Sequence, residues 1–302
     1  MIKVKDKRLI IGRIPYANVF PIFYVLDHEV DCSQYTFVEG VPSRLNRMLR
    51  EGEVDISPSS SIEYLADPGR YRIISNHSIS SRGAVGSILL FTPKPVEELE
   101  GAAVFASSQS ETSVALLKIV LGRFYGLSAT VRAVPNPIQS GAGEAAFLLI
   151  GDDALKRQAI GNKQQARGNG QEARGKRQEV RGKSDRNRMP IAYSPSPIAY
   201  PFVYDLGEIW YRQTGLPFVF ALWIVRKDIP DKNELIDKFT GDLDRAKESA
   251  LKKLPEIARY APIRSFMTEE EILMYWKKLN YEFSEEHKKG LALFDRYRKE
   301  IT

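Results

Sequence analysis

Hydroxyl side chains open two predicted helices, one in each half of the protein. They are Ser60 and Ser61 at the first helix and Ser110, Thr112 and Ser113 at the second. The free N–H groups at the start of a helix, together with its partial positive charge, favour a bound anion. We therefore predict that these residues bind a small, negatively charged molecule, with simple helix capping as the alternative at the first helix.

Four more polar residues follow predicted strands, at the end of the sheet where α/β proteins commonly bind ligands. They are Tyr16, Asn18, Ser87 and Asp152. For Asn18 the alternative is a cap on the helix that begins near Pro21, because asparagine is a preferred capping residue. For Asp152 both helix capping and ligand contact remain open.

Several common kinds of site have no support in the sequence. The glycine-rich patterns of nucleotide-binding loops and the GxSxG pattern of hydrolases are absent. The histidines His28, His77 and His287 are far apart, and Cys32 is the single cysteine, so neither a metal site nor an internal disulfide is expected. We predict a protein that uses no metal and no organic cofactor.

The positive charge is concentrated in one segment. Residues 156–188 hold 11 Lys/Arg and 3 Asp/Glu, a local charge of +8, whereas the whole chain carries +6. The segment repeats every seven residues from Gly161 to Gly182 but lacks the apolar positions of a coiled coil. We predict a disordered basic insert at 157–190, with a functional basic segment as the alternative. Because the rest of the chain is close to neutral, no nucleic-acid partner is expected.

The apolar segments of the sequence are short. None approaches the roughly 20 residues of a membrane helix, and the amino terminus lacks the apolar core of a signal peptide. We expect a soluble, cytoplasmic protein that makes no membrane contact.

Strands and helices alternate along the chain, an order typical of α/β proteins. The predicted strands are 8–14, 35–39, 53–57, 73–79, 86–92, 103–106, 130–134, 146–150 and 217–225. Apolar residues at helical spacing predict helices near Pro42, at 59–65 and at 111–124, and three more within 233–300.

This order predicts two lobes. We assign residues 1–92 and 218–302 to lobe 1 and residues 93–217, including the basic insert, to lobe 2. The apolar strands at 86–92 and 217–225 are predicted to cross between the lobes, which would place a ligand cleft at the boundary.

Seven segments of the sequence together resemble the chorismate dehydratase family. In chain order they are GRIPYANVFPIF, VDISP followed by SxxEY at Ser60–Tyr64, SRGAVGSILL, SETSVALLK, LLIGDDAL, YDLGEIW and TGLPFVFALW. The resemblance implies a periplasmic-binding-protein type II fold used as an enzyme of menaquinone biosynthesis by the futalosine route. It implies chorismate as the substrate, and 3-[(1-carboxyvinyl)oxy]benzoate and water as products. The basic insert before YDLGEIW departs from the family pattern.

Under this interpretation Asn18 is the catalytic residue and orients the reacting groups. The predicted substrate-binding residues are Tyr16, Ser60, Ser61, Ser87, Ser110, Thr112, Ser113 and Asp152. No His, Lys or Glu in the matching segments is well placed to act as a base, so we predict that the enolpyruvyl carboxylate of the substrate accepts the proton. The alternatives are the 1,4-dihydroxy-6-naphthoate synthase of the same pathway, a solute-binding protein and a ligand sensor without catalysis.

Overall fold

The computed structural model describes residues 8–140, 145–163, 200–229 and 231–301. Its strands are β1 (Leu9–Arg13), β2 (Tyr35–Glu39), β3 (Ile56–Ser60), β4 (Tyr71–Ser81), β5 (Ile88–Thr92), β6 (Ala103–Ser107), β7 (Thr130–Val134), β8 (Ala146–Ile150), β9 (Phe202–Asp205), β10 (Phe218–Arg226) and β11 (Leu279–Glu282). Its helices are α1 (Phe20–Glu29), α2 (Pro42–Glu51), α3 (Ser61–Ala66), α4 (Glu111–Ile119), α5 (Pro137–Ser140), α6 (151–163), α7 (Leu206–Thr214), α8 (Asn233–Lys252), α9 (Leu254–Ile257), α10 (Glu269–Trp276) and α11 (Glu285–Glu300).

The strands form two sheets, which define the two lobes. In lobe 1 the strand order is β11-β4-β10-β3-β1-β2. In this sheet β1 runs parallel to β2 and β3, and β10 runs antiparallel to β3 and β4. Every residue of β3 and almost all of β10 is buried, because helices cover both faces of the sheet. This burial explains why β10 reads as a continuous apolar run without alternation.

In lobe 2 the strand order is β7-β6-β8-β5-β9. The central strands β5 and β8 are fully buried and antiparallel, while β6 runs parallel to β7 and β8. The helix predicted at 111–124 is present as α4, followed by a π-helical turn at Val120–Phe124. Of the lobe 2 strands, β6 and β8 lead into the starts of α4 and α6, which face lobe 1.

The structure corrects the predicted crossing points. Strand β5 pairs entirely within lobe 2, and β10 pairs entirely within lobe 1. The chain therefore passes between lobes in the short links at 82–87 and 215–217, and lobe 1 ends before residue 88 instead of at 92. An apolar run indicates that a strand is buried, but it carries no information about which sheet the strand joins.

Two short strands were not predicted. Strand β9 completes the edge of the lobe 2 sheet, and β11 lies where a break between helices was expected at 281–284. Both have four residues, so their alternation is too brief to distinguish them from turns.

The predicted disordered insert begins too early. Residues 157–163 form the second half of α6. Leu155 in the first half of this helix is buried, and the Lys163 ammonium group at its end donates to the backbone carbonyl of Phe266 at 3.2 Å. The remainder of the predicted insert, 164–190, lies outside the described residues. Within the described ranges, no helix is both long and apolar enough to cross a membrane.

Candidate functional site

A cavity lies between the lobes at the ends of their strands. It comprises about 530 Å³ of empty space, part of which is open solvent. Six predicted site residues line it: Tyr16, Asn18, Ser60, Ser87, Ser110 and Ser113. Apolar side chains complete the wall, among them Ile14, Ile79, Val85, Ile88 and Phe220. No acidic or basic residue of the described chain is part of this lining, so any ligand meets neutral polar groups.

Two of the hydroxyl groups are oriented by deeply buried partners. Ser60 Oγ accepts a hydrogen bond from Asn46 Nδ2 at 2.8 Å, and Ser87 Oγ accepts one from the Tyr275 hydroxyl at 3.1 Å. A hydroxyl has one proton to donate, and neither serine donates to a protein group in the described part of the chain. Their protons are therefore free to point at a ligand in the cavity.

Ser110 combines helix capping with exposure to the cavity. It is the N-cap of α4, and its Oγ accepts from the backbone N–H of Ser113 at 3.3 Å and from the Ser113 hydroxyl at 3.1 Å. Capping uses the lone pairs of Ser110 and leaves its proton unused. Capping and ligand binding, which compete as explanations at the sequence level, are compatible here.

Asn18 lies on the turn that follows β1 and does not cap a helix. The N-cap of α1 is Val19, with no side-chain capping bond. Asn18 Oδ1 is buried and has no hydrogen-bond partner among the described residues, while its backbone carbonyl accepts from the Tyr281 hydroxyl at 2.6 Å. A buried amide oxygen without a partner is costly, and a ligand group in the cavity could satisfy it.

Tyr16 joins the lobes through Gln109, a residue that sequence reasoning did not single out. The Tyr16 hydroxyl donates to Gln109 Oε1, and the Gln109 carbonyl accepts from the backbone N–H of Ser43 at 3.1 Å. Burial raises the pKa of the Tyr16 phenol, and nearby Asp153 and Asp152 raise it further, so the phenol stays neutral. Tyr16 thus acts as a neutral donor that holds the cleft closed.

Two predicted site residues lie behind the cavity wall. Ser61 is fully buried and donates to the carbonyl of Val219 at 2.6 Å. Thr112 Oγ1 accepts from the backbone N–H of Ile62 at 3.1 Å, which ties the start of α4 to α3 in the other lobe. Both hydroxyls support the cavity instead of lining it.

Asp152 also lies outside the lining, although its neighbour Gly151 belongs to it. The Asp152 carboxylate accepts from the backbone N–H of Ala17 at 2.9 Å. Burial raises the pKa of this carboxyl to about 6, with a smaller contribution from Asp153 and an opposing one from the Ala17 hydrogen bond. The Asp152 side chain therefore contacts lobe 1, whereas the sequence predicted a ligand contact or a helix cap.

Asp205 was missed as a site-supporting residue. Its carboxylate caps α7 by accepting from Gly207 and Glu208, and it also accepts from the backbone N–H groups of Val85 at 3.1 Å and Gly86 at 2.6 Å. It thereby anchors the link between the lobes next to Ser87. The position just before a helix marks Asp205 as a capping residue, but nothing local indicates the second role.

The site therefore offers preorganised neutral donors from both lobes, a free amide oxygen and apolar walls. The donors stabilise negative charge without a metal or a charged side chain, and the amide oxygen of Asn18 can accept a hydrogen bond from a ligand hydroxyl. The described lining contains no side chain with a pKa suited to a general base. This arrangement favours binding and orientation of an anionic molecule.

Comparison with known proteins gives a consistent picture. The model of the menaquinone biosynthesis family matches residues 9–167 and 188–300, so the unmatched residues 168–187 fall inside the predicted insert. A chorismate dehydratase from Thermus thermophilus is 28% identical over 285 residues, which cover 94% of this chain and 93% of that protein.

Solved structures resemble the fold over nearly the whole chain. Protein AF1704 from Archaeoglobus fulgidus has a TM-score of 0.68 at 16% identity, covering 97% of each chain. The Candida albicans CA3427 product, described as having the generic periplasmic binding protein fold, has a TM-score of 0.54 at 12% identity and covers 97% of this chain and 94% of its own. The aliphatic sulphonate binding protein SsuA from Escherichia coli has a TM-score of 0.56 at 13% identity, covering 98% and 86%. The predicted two-lobed, periplasmic-binding-protein-like fold is confirmed.

Proposed function

The chain belongs to the menaquinone biosynthesis family, and from this premise we propose that it is a chorismate dehydratase. It would convert chorismate to 3-[(1-carboxyvinyl)oxy]benzoate and water. Support comes from the Thermus thermophilus relative, which matches over almost the full length of both proteins, and from the cavity chemistry.

The observation that carries the proposal is the set of free hydroxyl protons around one cavity between the lobes. Ser60 contributes from lobe 1, Ser87 from the link between lobes and Ser110 from lobe 2. Chorismate carries two carboxylates, and donors on opposite walls can engage both. Because these donors are neutral, they leave the substrate carboxylates charged, and one of those carboxylates is needed for the reaction.

The reaction begins with loss of a ring proton that is allylic and vinylogous to the ring carboxylate. The electrons of that C–H bond move toward the ring carboxylate as a dienolate, so negative charge grows there. Preorganised hydroxyl donors stabilise such charge, which is commonly the largest contribution to catalysis. The neighbouring C–O bond then breaks, the hydroxyl leaves, and the ring becomes aromatic.

The proton acceptor in this proposal is the enolpyruvyl carboxylate of the substrate itself. It takes the ring proton and passes it to the departing hydroxyl, which leaves as water, so no proton is gained or lost overall. An intramolecular base of this kind depends on orientation more than on basicity. Asn18 lines the same cavity, and its unpaired Oδ1 is suited to hold the reacting groups in register.

The test is incubation of the purified protein with chorismate, with products followed by mass spectrometry. We expect loss of water and formation of the benzoate ether by the wild type. Asn18→Ala should lower kcat by at least about tenfold, the scale of a lost orienting or proton-transfer group. Asn162→Ala, which changes an exposed residue of α6, is the matched control and should retain wild-type turnover.

Other outcomes would contradict the proposal in different ways. Chorismate that is bound but unchanged would indicate a solute-binding protein or sensor. If chorismate does not react and the protein forms 1,4-dihydroxy-6-naphthoate from its cyclic precursor, the protein is the sister enzyme of the pathway. Near-normal turnover by Asn18→Ala would remove Asn18 from the mechanism.

A further inference from the structure

Asp152 makes a hydrogen bond that joins the lobes next to Asn18. Its Oδ1 accepts from the backbone N–H of Ala17 at 2.9 Å. Asp152 lies at the start of α6, directly after β8 of lobe 2, whereas Ala17 lies on the turn after β1 of lobe 1. The bond therefore requires the two lobes to lie close together, because the two residues follow strands of different sheets.

Lobe 1 itself holds the carbonyl groups of the same turn. Trp276 Nε1 donates to the Ala17 carbonyl at 2.8 Å, and the Tyr281 hydroxyl donates to the Asn18 carbonyl at 2.6 Å. Both donors come from elements that pack in the lobe 1 core. These two bonds do not depend on lobe 2, so among the three groups of this turn the Ala17 N–H is the one with a partner from lobe 2.

We propose that Asp152 is a positioning residue that couples closure of the cleft to the orientation of Asn18. It acts through the Ala17 peptide, since its side chain is not part of the cavity lining while Gly151 is. A charged acceptor forms a stronger hydrogen bond to an N–H group than a neutral one. With a pKa near 6, raised by burial, the carboxyl is ionised at neutral pH and serves as that acceptor.

The kinetic test rests on the proposed function and uses three variants. Asp152→Ala removes the acceptor, Asp152→Asn keeps an oxygen acceptor of the same shape, and Asp153→Ala removes the neighbouring exposed carboxylate as the matched control. With chorismate as substrate, Asp152→Ala should lower kcat by about tenfold or more while KM changes little, the pattern of an interaction needed in the transition state. Asp152→Asn should recover most of the lost kcat, and Asp153→Ala should match the wild type.

A second measurement needs no substrate. Exchange of the Ala17 amide proton, followed by NMR, should be about tenfold faster in Asp152→Ala than in the wild type, because each 1.4 kcal/mol of lost hydrogen bonding corresponds to a factor of ten. Asp152→Asn should exchange at an intermediate or wild-type rate. Because the exchange rate does not depend on chorismate turnover, failure of the proposed function and failure of this inference can be distinguished.

Three results would overturn the inference. A rise in KM at unchanged kcat in Asp152→Ala would make Asp152 a substrate-binding residue. Equal loss of kcat in Asp152→Asn and Asp152→Ala, with a wild-type Ala17 exchange rate in Asp152→Asn, would mean that the charge acts by a route other than the Ala17 bond. Equal Ala17 exchange rates in the wild type and Asp152→Ala would show that the bond across the cleft does not hold the turn.

Discussion

Replacement of Gly151 by alanine should disturb closure of the cleft more than it disturbs the fold. Gly151 has φ +57°, and a Cβ added there would lie 3.0 Å from Cδ2 of the Tyr16 ring in the other lobe. The left-handed backbone costs an alanine roughly 1–2 kcal/mol relative to glycine. Relief of the contact requires the Tyr16 ring to shift by a few tenths of an ångström, which disturbs its hydrogen bond to Gln109, an interaction worth about 1 kcal/mol.

Gly126→Ala is the matched control. Gly126 has φ +68°, and an added Cβ would meet no atom within 4 Å. It therefore shares the backbone strain without the contact across the cleft. A loss of 1 kcal/mol shifts Tm by roughly 2–4 °C in chains of about 150–250 residues and by less in a longer chain, so both variants should lose a few degrees in thermal unfolding.

The activity of the two variants should differ. The contact of Gly151 lies between the lobes, so the added methyl group widens the cavity and separates the donors that must act together. We expect kcat/KM for chorismate to fall by about tenfold or more in Gly151→Ala, equivalent to about 1.4 kcal/mol, and to stay near wild type in Gly126→Ala. Equal kcat/KM values in the two variants would refute the view that the Tyr16–Gly151 approach belongs to the productive closed state.

Two more predictions concern Asp152 and the basic segment. Burial raises the pKa of Asp152 from 3.8 to about 6 in the folded protein, so its ionisation costs stability as pH rises through this window, and the full cost remains above pH 6. Asp152→Asn should accordingly have a higher Tm than the wild type at pH 8, and the difference in Tm should vanish below about pH 4. An equal difference in Tm at both pH values would contradict the raised pKa of Asp152. Deletion of residues 168–187, which the family model does not match, should leave kcat/KM and Tm nearly unchanged, and a large fall in either would contradict their assignment as a dispensable insert.

Much of the local structure was predictable from patterns in the sequence. The predicted strands at 35–39, 130–134 and 146–150 coincide with β2, β7 and β8, because short apolar or β-branched runs between turn residues define them locally. The overlong insert prediction shows the limit of composition as a guide. Residues 157–163 share the polar composition of residues 164–188, yet they continue a helix whose first turn is anchored by packing.

The candidate site was also predictable only in part from sequence patterns. Sequence patterns identified six of the residues that line the cavity, since each follows a strand or opens a helix. They could not separate these from Ser61 and Thr112, whose hydroxyls point to backbone groups in neighbouring elements. The direction of a hydroxyl depends on hydrogen-bond partners that are distant in sequence, so the local spacing of residues cannot predict it.

By itself, then, the sequence determined the alternation of strands and helices, the neutral polar character of the candidate site and the family. The tertiary structure decided which strands share a sheet, where the chain passes between lobes and which protons are free for a ligand. Tyr275 orients Ser87 across 188 positions of sequence, and Asp152 reaches Ala17 across 135. Contacts of such range form only in the folded protein, because strand pairing and packing of the elements bring these residues together.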